Sequence, residues 1–244
     1  MYETKPIDDL FVDAKLTPLT KEEAACTLRT AYKNIMGEYP SLDSLAILYA
    51  QTALESGNFQ KGLWNANWGN IKRLSGIKYT SFKCSEVLDG KNQWFYPYHP
   101  QTFFSAWDTV EEGAVAYLSF LKNRKRYAAA WQEMVAGNTI KYVVCLKQSG
   151  YFTADLTQYL KGVVSLTEEF KRKFKDYDWP EEVDVDVSEL SKQEQVTIPD
   201  IAMIPPPIPE RVIVDDTVMI KPIETSSNIF SVIVEFIGKL FGGK

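Results

Sequence analysis

The sequence predicts a mainly helical α+β domain with one inserted β-hairpin, followed by an extended acidic arm and a short amphipathic helix. Three observations carry this. Apolar residues recur at helical spacing through residues 21–175. The pattern breaks between Ile77 and Phe104, where two polar–apolar stretches flank Asp89-Gly90, a strong hairpin turn signal. From Pro180 onward the composition changes: seven of the 12 prolines lie there, and residues 181–227 contain no glycine and no aromatic residue.

The elements follow in order. Residues 1–20 read as a polar lead-in, and residues 21–179 as the globular domain. Within it, helices are expected at about 21–36, 42–55, 109–121, 124–136, 138–147 and 156–175. The second is the best defined. Ser41 is placed to cap its start, Leu42, Leu45, Ala46, Leu48, Tyr49 and Ala53 give it an apolar stripe, and Gly57 can take the left-handed conformation that ends it. Asp108-Thr109 precedes Glu111 and Glu112, which belong to the first turn of a helix, where acids favour the macrodipole. Asp155 is expected to cap the following helix, and Asp89 to serve the hairpin turn. Residues 180–227, including IPDIAMIPPPIPERVIVDD, form an extended arm, because proline cannot donate to a ladder and disfavours helix before it. Residues 228–244 contain NIFSVIVEFIGKLF, in which Ser231, Glu235 and Lys239 share one face of an otherwise apolar helix. That helix is too short to span a bilayer. It reads as a docking helix for another protein, or as a membrane-interfacial one over residues 228–241.

Composition excludes several kinds of chemistry. His99 is the sole histidine, so a histidine-rich metal site is ruled out, and a Ser–His or Cys–His pair would have to rest on it alone. In its Tyr-Pro-Tyr-His-Pro setting His99 reads as structural or as the edge of a groove. Cys26, Cys84 and Cys145 are odd in number and widely spaced, which argues against a disulfide framework or zinc site. No metal and no cofactor are expected. If the protein is an enzyme, carboxylates or tyrosines move its protons. Residues 1–179 hold 22 Lys+Arg against 20 Asp+Glu, and the remainder 5 against 12. A mildly basic front suits an anionic polymer, but the excess is too small for nucleic-acid binding. The start, MYETKPIDDLFVDAK, has no apolar core of the kind a secretory signal needs, so none is expected.

Glu55 is the candidate acid. It lies at the C-terminal end of its helix, beside the negative pole of the macrodipole, which disfavours the ionised carboxylate and favours the protonated form a general acid needs. Alone it would read as a surface charge. Its neighbourhood, Gly62 to Lys72, changes that reading. Trp64 and Trp68 offer flat faces for pyranose rings, Asn65, Asn67 and Asn70 offer amides for sugar hydroxyl and acetamido groups, and Gly69 permits close backbone approach.

ALESGNF followed by WNANWGNIK resembles the signature of the endo-β-N-acetylglucosaminidases of glycoside hydrolase family seventy-three, in the lysozyme-like superfamily. The resemblance continues through CSEVLDGK, FFSAWDTVEEGAVAYLSFL, RYAAAW and SGYFTADLTQYLKGV, covering roughly residues 40–170 in the expected order. It implies a lysozyme-like helical domain with its hairpin, places Glu86 at the family's second acidic position and places Tyr151 at its active-site tyrosine. There are departures. Trp68 replaces the usual phenylalanine, Asn70 is an extra residue, Trp107 stands for a tyrosine, and Phe152 and Leu156 alter the Tyr-Ala-Thr-Asp-Pro motif.

The resemblance implies cleavage of β-1,4 bonds in peptidoglycan glycan strands, with Glu55 as acid. Glu86 then acts as base, or the substrate's own acetamido group attacks while Tyr151 positions it. Trp64, Asn67, Trp68, Gly69, Asn70 and Trp107 are the expected substrate contacts. A lytic transglycosylase or muramidase is the nearest rival. A rival of another class is a structural virion or secretion-apparatus component with a secondary or inactive wall-cutting domain. The missing signal and the arm together suggest a phage-encoded protein that is virion-associated or released to the wall, with residues 180–244 bound to a virion or tail protein.

Overall fold

The computed structural model describes residues 4–88 and 91–180. The arm from residue 181 and the expected terminal helix lie outside these residues. So does the second of the two units into which the chain divides, Ile204–Lys244. The described part is mainly helical α+β. Six α-helices form: α1 Lys21–Met36, α2 Leu42–Ser56, α3 Val110–Asn123, α4 Ala128–Val135, α5 Thr139–Gln148 and α6 Leu156–Phe174.

Local chemistry sets their ends. Thr20 and Glu23 form a capping box on α1, and Thr109 and Glu112 form another on α3, so Glu112 is structural as expected. Ser41 caps α2 through the Ser44 N–H, and Asp155 caps α6 through the Gln158 N–H. The expected helix over 124–136 opens instead as a 3₁₀ turn, Lys125–Tyr127, before α4. Neither piece has a side-chain cap at its start.

Helix α2 is buried on nearly all sides rather than along one stripe. Leu45, Ala46, Ile47, Leu48, Tyr49, Ala50 and Ala53 are all at most 3% exposed. A helix apolar all round belongs in the centre of a domain, and each buried Leu or Ile there contributes roughly 1.5–3 kcal/mol. Helix α6 closes over it. Tyr49 meets Phe170 at 4.7 Å between ring centroids, and a Cβ at Gly162 would lie 3.2 Å from Leu54. Helix α1 packs on α3, and its Tyr32 stacks on Trp131 of α4. Beyond α6, Trp179 stacks on Phe174 and lies under the Arg29 guanidinium, which ties this end of the domain to α1.

The region between α2 and α3 holds two short ladders rather than one hairpin. Strands β2 (Cys84–Leu88) and β3 (Lys91–Phe95) pair antiparallel, with Leu88 opposite Lys91. They are bracketed by β1 (Tyr79–Ser81) and β4 (Phe103–Ser105), also antiparallel, with Thr80 opposite Phe104. The ladders separate because Pro97 and Pro100 lack donors, and the chain makes a 3₁₀ turn over Pro100–Thr102 before re-entering as β4. His99 caps that turn, its Nδ1 accepting from the Gln101 N–H at 3.2 Å, and stacks on Phe95.

The polar lead-in is part of this region. Phe11 bridges to Tyr79 and Leu16 to Trp64. The Val12 N–H donates to the Tyr79 carbonyl at 2.9 Å, and the Thr17 N–H to the Leu63 carbonyl at 2.8 Å. Backbone pairing thus fastens this segment to β1 and to the loop after α2.

Candidate active site

Glu55 sits in the last turn of α2, which contains no basic residue, and Gly57 ends the helix at φ 58°, ψ 53°. The following loop is held in an unusual backbone shape. Asn58, Phe59, Asn65, Ala66 and Asn70 all have positive φ. Such angles are disfavoured for residues with a Cβ, and asparagine tolerates them best among the non-glycines. The loop keeps this shape through burial and hydrogen bonds. Phe59 is fully buried. The Gly62 N–H donates to the Ser56 carbonyl at 2.8 Å, and the Phe59 N–H to the Ser56 hydroxyl at 3.1 Å.

The alternating asparagines are the stitches of this loop. Asn65 accepts from the Lys15 N–H and donates to the Asp13 carbonyl, fastening the lead-in. Asn67 accepts from the Ile71 N–H at 2.8 Å and donates to the Ile71 and Ser105 carbonyls, both at 2.9 Å, joining the loop to β4. Asn67 is 2% exposed and fully engaged, so its expected role as a sugar contact is corrected: it is a buried tie. Asn70 turns back and donates to the Glu55 carbonyl at 3.1 Å, satisfying an acceptor that a helix end leaves open.

Trp68 is corrected in the same way. Its ring is 0% exposed, packs against Phe59, and donates its indole N–H to the Val110 carbonyl at 2.9 Å. A fully enclosed ring has no face for a sugar. Gly69 does allow a close approach, but by the protein's own tyrosines. A Cβ there would lie 2.6 Å from the Tyr117 ring and 2.9 Å from the Tyr151 hydroxyl. Trp64 and Trp107 remain half-buried, Trp64 stacked on Phe82 and Trp107 donating its backbone N–H to the Asn65 carbonyl.

Glu55 is half-buried within a group of tyrosines. Tyr159, on α6 and 8% exposed, donates its hydroxyl to Glu55 Oε1 at 2.8 Å. Tyr151 donates to the Gly69 carbonyl at 3.3 Å. One turn before Glu55, the buried Gln51 side-chain amide oxygen accepts from the Tyr117 hydroxyl at 2.7 Å and from the Tyr142 hydroxyl. Burial first, and the Glu55 charge second, pushes the Tyr151 and Tyr159 hydroxyls well above the ordinary phenol range. These phenols stay protonated through the neutral range, so Tyr159 meets the carboxyl as a neutral donor and Tyr151 stands nearby uncharged.

Tyr159 was missed in the sequence, although it is the final tyrosine of SGYFTADLTQY and that segment carries part of the resemblance. Phe152, a departure from the family pattern, stacks on the Tyr159 ring at 3.7 Å and 7°. Lys147 donates to the carbonyls of Thr153 and Ala154, ordering the turn between them. Thus the structure gathers Glu55, Gly69, Asn70, Tyr151 and Tyr159. Glu86 lies on β2 opposite Gln93. Among the described residues, no group of three His, Cys, Asp or Glu is placed to hold a metal ion.

The glucosaminidase family model, described as mannosyl-glycoprotein endo-beta-N-acetylglucosaminidase, matches residues 30–172. The chain belongs to the glucosaminidase family. Its matched span runs from within α1 to within α6 and includes Glu55, Tyr151 and Tyr159. The glucosaminidase domain is therefore a glycoside hydrolase. Several solved structures are similar to it, three of which show the range. One is a peptidoglycan hydrolase mutant from Sphingomonas sp. A1, 21% identical over 64% of this chain and 93% of that one, with a TM-score of 0.45. Another is a C-terminally truncated glycoside hydrolase domain of FlgJ from Salmonella typhimurium, 21% identical over 61% and 93%, with a TM-score of 0.42. The third is the catalytic domain of the autolysin Auto from Listeria monocytogenes, 18% identical over 66% and 89%, with a TM-score of 0.47. No curated protein matches the chain.

Proposed function

We propose that this glucosaminidase domain cuts β-1,4 glycosidic bonds of peptidoglycan glycan strands, with Glu55 as general acid, and that it opens the bacterial wall for a phage. The observation that carries the chemistry is the half-buried Glu55 carboxyl at the end of α2, hydrogen-bonded by Tyr159 among neutral tyrosines. A glycosidase acid must protonate the leaving oxygen from a fixed direction. Tyr159 holds the carboxyl in one orientation, and the Phe152 ring holds Tyr159. Glu86 on the hairpin supplies the base, or the substrate's acetamido group takes its place with Tyr151 as positioner. Support for peptidoglycan comes from the sequence motifs and the mildly basic balance of residues 1–179. Support for a phage setting comes from the proline-rich composition of residues 180–227 and the amphipathic pattern of residues 228–244, read as an attachment to a virion or tail protein.

Mass analysis of fragments from purified peptidoglycan tests the bond. N-acetylglucosamine at the new reducing end is expected. Anhydro-muramic ends would identify a lytic transglycosylase, and muramic reducing ends a muramidase. Tyr159→Phe tests the site. Removing one hydrogen bond to a neutral carboxyl is worth about 0.5–1.5 kcal/mol. We expect kcat to fall roughly two- to tenfold with KM little changed. An unaltered kcat would take Tyr159 out of the mechanism.

A further inference from the structure

Two large aromatic side chains are left in water by the hairpin. Trp94 on β3 is 55% exposed, and Tyr96 just after it is 58% exposed. Strand alternation puts both on one side, while Phe95 between them turns inward, 8% exposed, onto His99. Lys83, just before β2 and itself exposed, brings its ammonium within 4.4 Å of the Trp94 ring centroid and 4.9 Å of the Tyr96 centroid. The arrangement is a cation lying over one side of two exposed aromatic rings.

Next to this plate in the chain is a row of stacked aromatic rings. Lys83 follows Phe82, whose ring stacks on Phe104 at 4.4 Å and on Trp64 at 5.4 Å. Trp64 lies in the loop whose Asn70 reaches back to the Glu55 carbonyl. A polymeric substrate extends well past the bond being cut, so its outer sugars need exposed surface of their own away from the catalytic acid. The chemistry of the plate suits them. Indole and phenol rings match the C–H faces of pyranoses and keep polar edges for hydroxyls, and the lysine supplies one positive charge.

We propose that Trp94, Tyr96 and Lys83 form an outer glycan-binding plate, the rings stacking on sugars remote from the scissile bond and Lys83 pairing with a lactyl or peptide carboxylate. The carboxylate part rests on the reading of peptidoglycan as substrate. The stacking part needs only an N-acetylglucosamine polymer.

The test uses the full chain in the Glu55→Gln background, so that glycan is not consumed. Two probes are compared, soluble peptidoglycan strands and a neutral N-acetylglucosamine hexamer. The double variant Trp94→Ala, Tyr96→Ala should weaken binding of both about tenfold. Lys83→Ala should weaken peptidoglycan binding alone. All three side chains are exposed, so melting temperatures should stay within a degree or two of the parent. Unchanged affinity of the double variant for both probes would overturn the plate. Equal weakening of both probes by Lys83→Ala would overturn the carboxylate pairing. Ring-dependent binding to anionic vesicles with glycan binding intact would assign the patch to a membrane surface instead. If the parent binds and cuts only the neutral hexamer, the peptidoglycan reading fails while the stacking test still stands.

Discussion

Glu55→Gln is expected to abolish clearing of purified cell walls, with kcat reduced about 10²–10⁴-fold, the range a positioned general acid contributes. Glutamine keeps the shape of the side chain, and its amide oxygen can still accept from the Tyr159 hydroxyl that now meets Glu55 Oε1 at 2.8 Å. What it loses is the proton for the leaving oxygen. The backbone around it is unaffected, because Asn70 binds the Glu55 carbonyl and not its side chain. The melting temperature should therefore stay close to that of the parent. Turbidity assays with thermal unfolding on the same preparation separate the two effects. Full activity in the variant would remove Glu55 from the mechanism. A dead but unfolded variant would instead give the carboxyl a structural role.

Trp68→Ala should act on stability, not on sugar affinity. The ring is wholly enclosed, with its N–H on the Val110 carbonyl at the start of α3. Truncating a buried tryptophan costs about 3–5 kcal/mol, which for a domain of this size lowers the melting temperature by roughly 6–20 °C. Measured well below the transition, KM for glycan should be near that of the parent. A large rise in KM with unchanged stability would restore the sugar-stacking role. Trp68 differs in this from Trp94, whose exposure makes the opposite outcome the expected one.

The helices were legible because their signals are local. Ser41, Thr109 and Asp155 each cap the helix that follows from within three residues, and Gly57 stops α2 by its own backbone angle. The hairpin around Asp89-Gly90 was legible for the same reason. The division of the 77–104 region into two ladders was not. It depends on β1 finding β4 more than 20 residues away, and on the lead-in pairing with Tyr79. Tyr159 was overlooked because its importance lies in a contact across 104 residues with Glu55.

The loop after α2 shows the limit most clearly. Its composition of tryptophan, asparagine and glycine suits a sugar site and a strained, stitched turn equally well. Asparagine both binds sugars and tolerates positive φ, and Asn65 and Asn70 take positive φ here. The sequence alone determined that a helix carries Glu55 at its C-terminal end, that such a loop follows it, and which motifs resemble the family. Only the tertiary structure decided which side chains of that loop face inward. Trp68 is covered by Phe59 and α3, and Asn67 is claimed by Ser105. The physical reason is that periodicity, caps and turns depend on neighbours a few residues away, whereas burial of one side chain depends on which distant elements the chain packs against it.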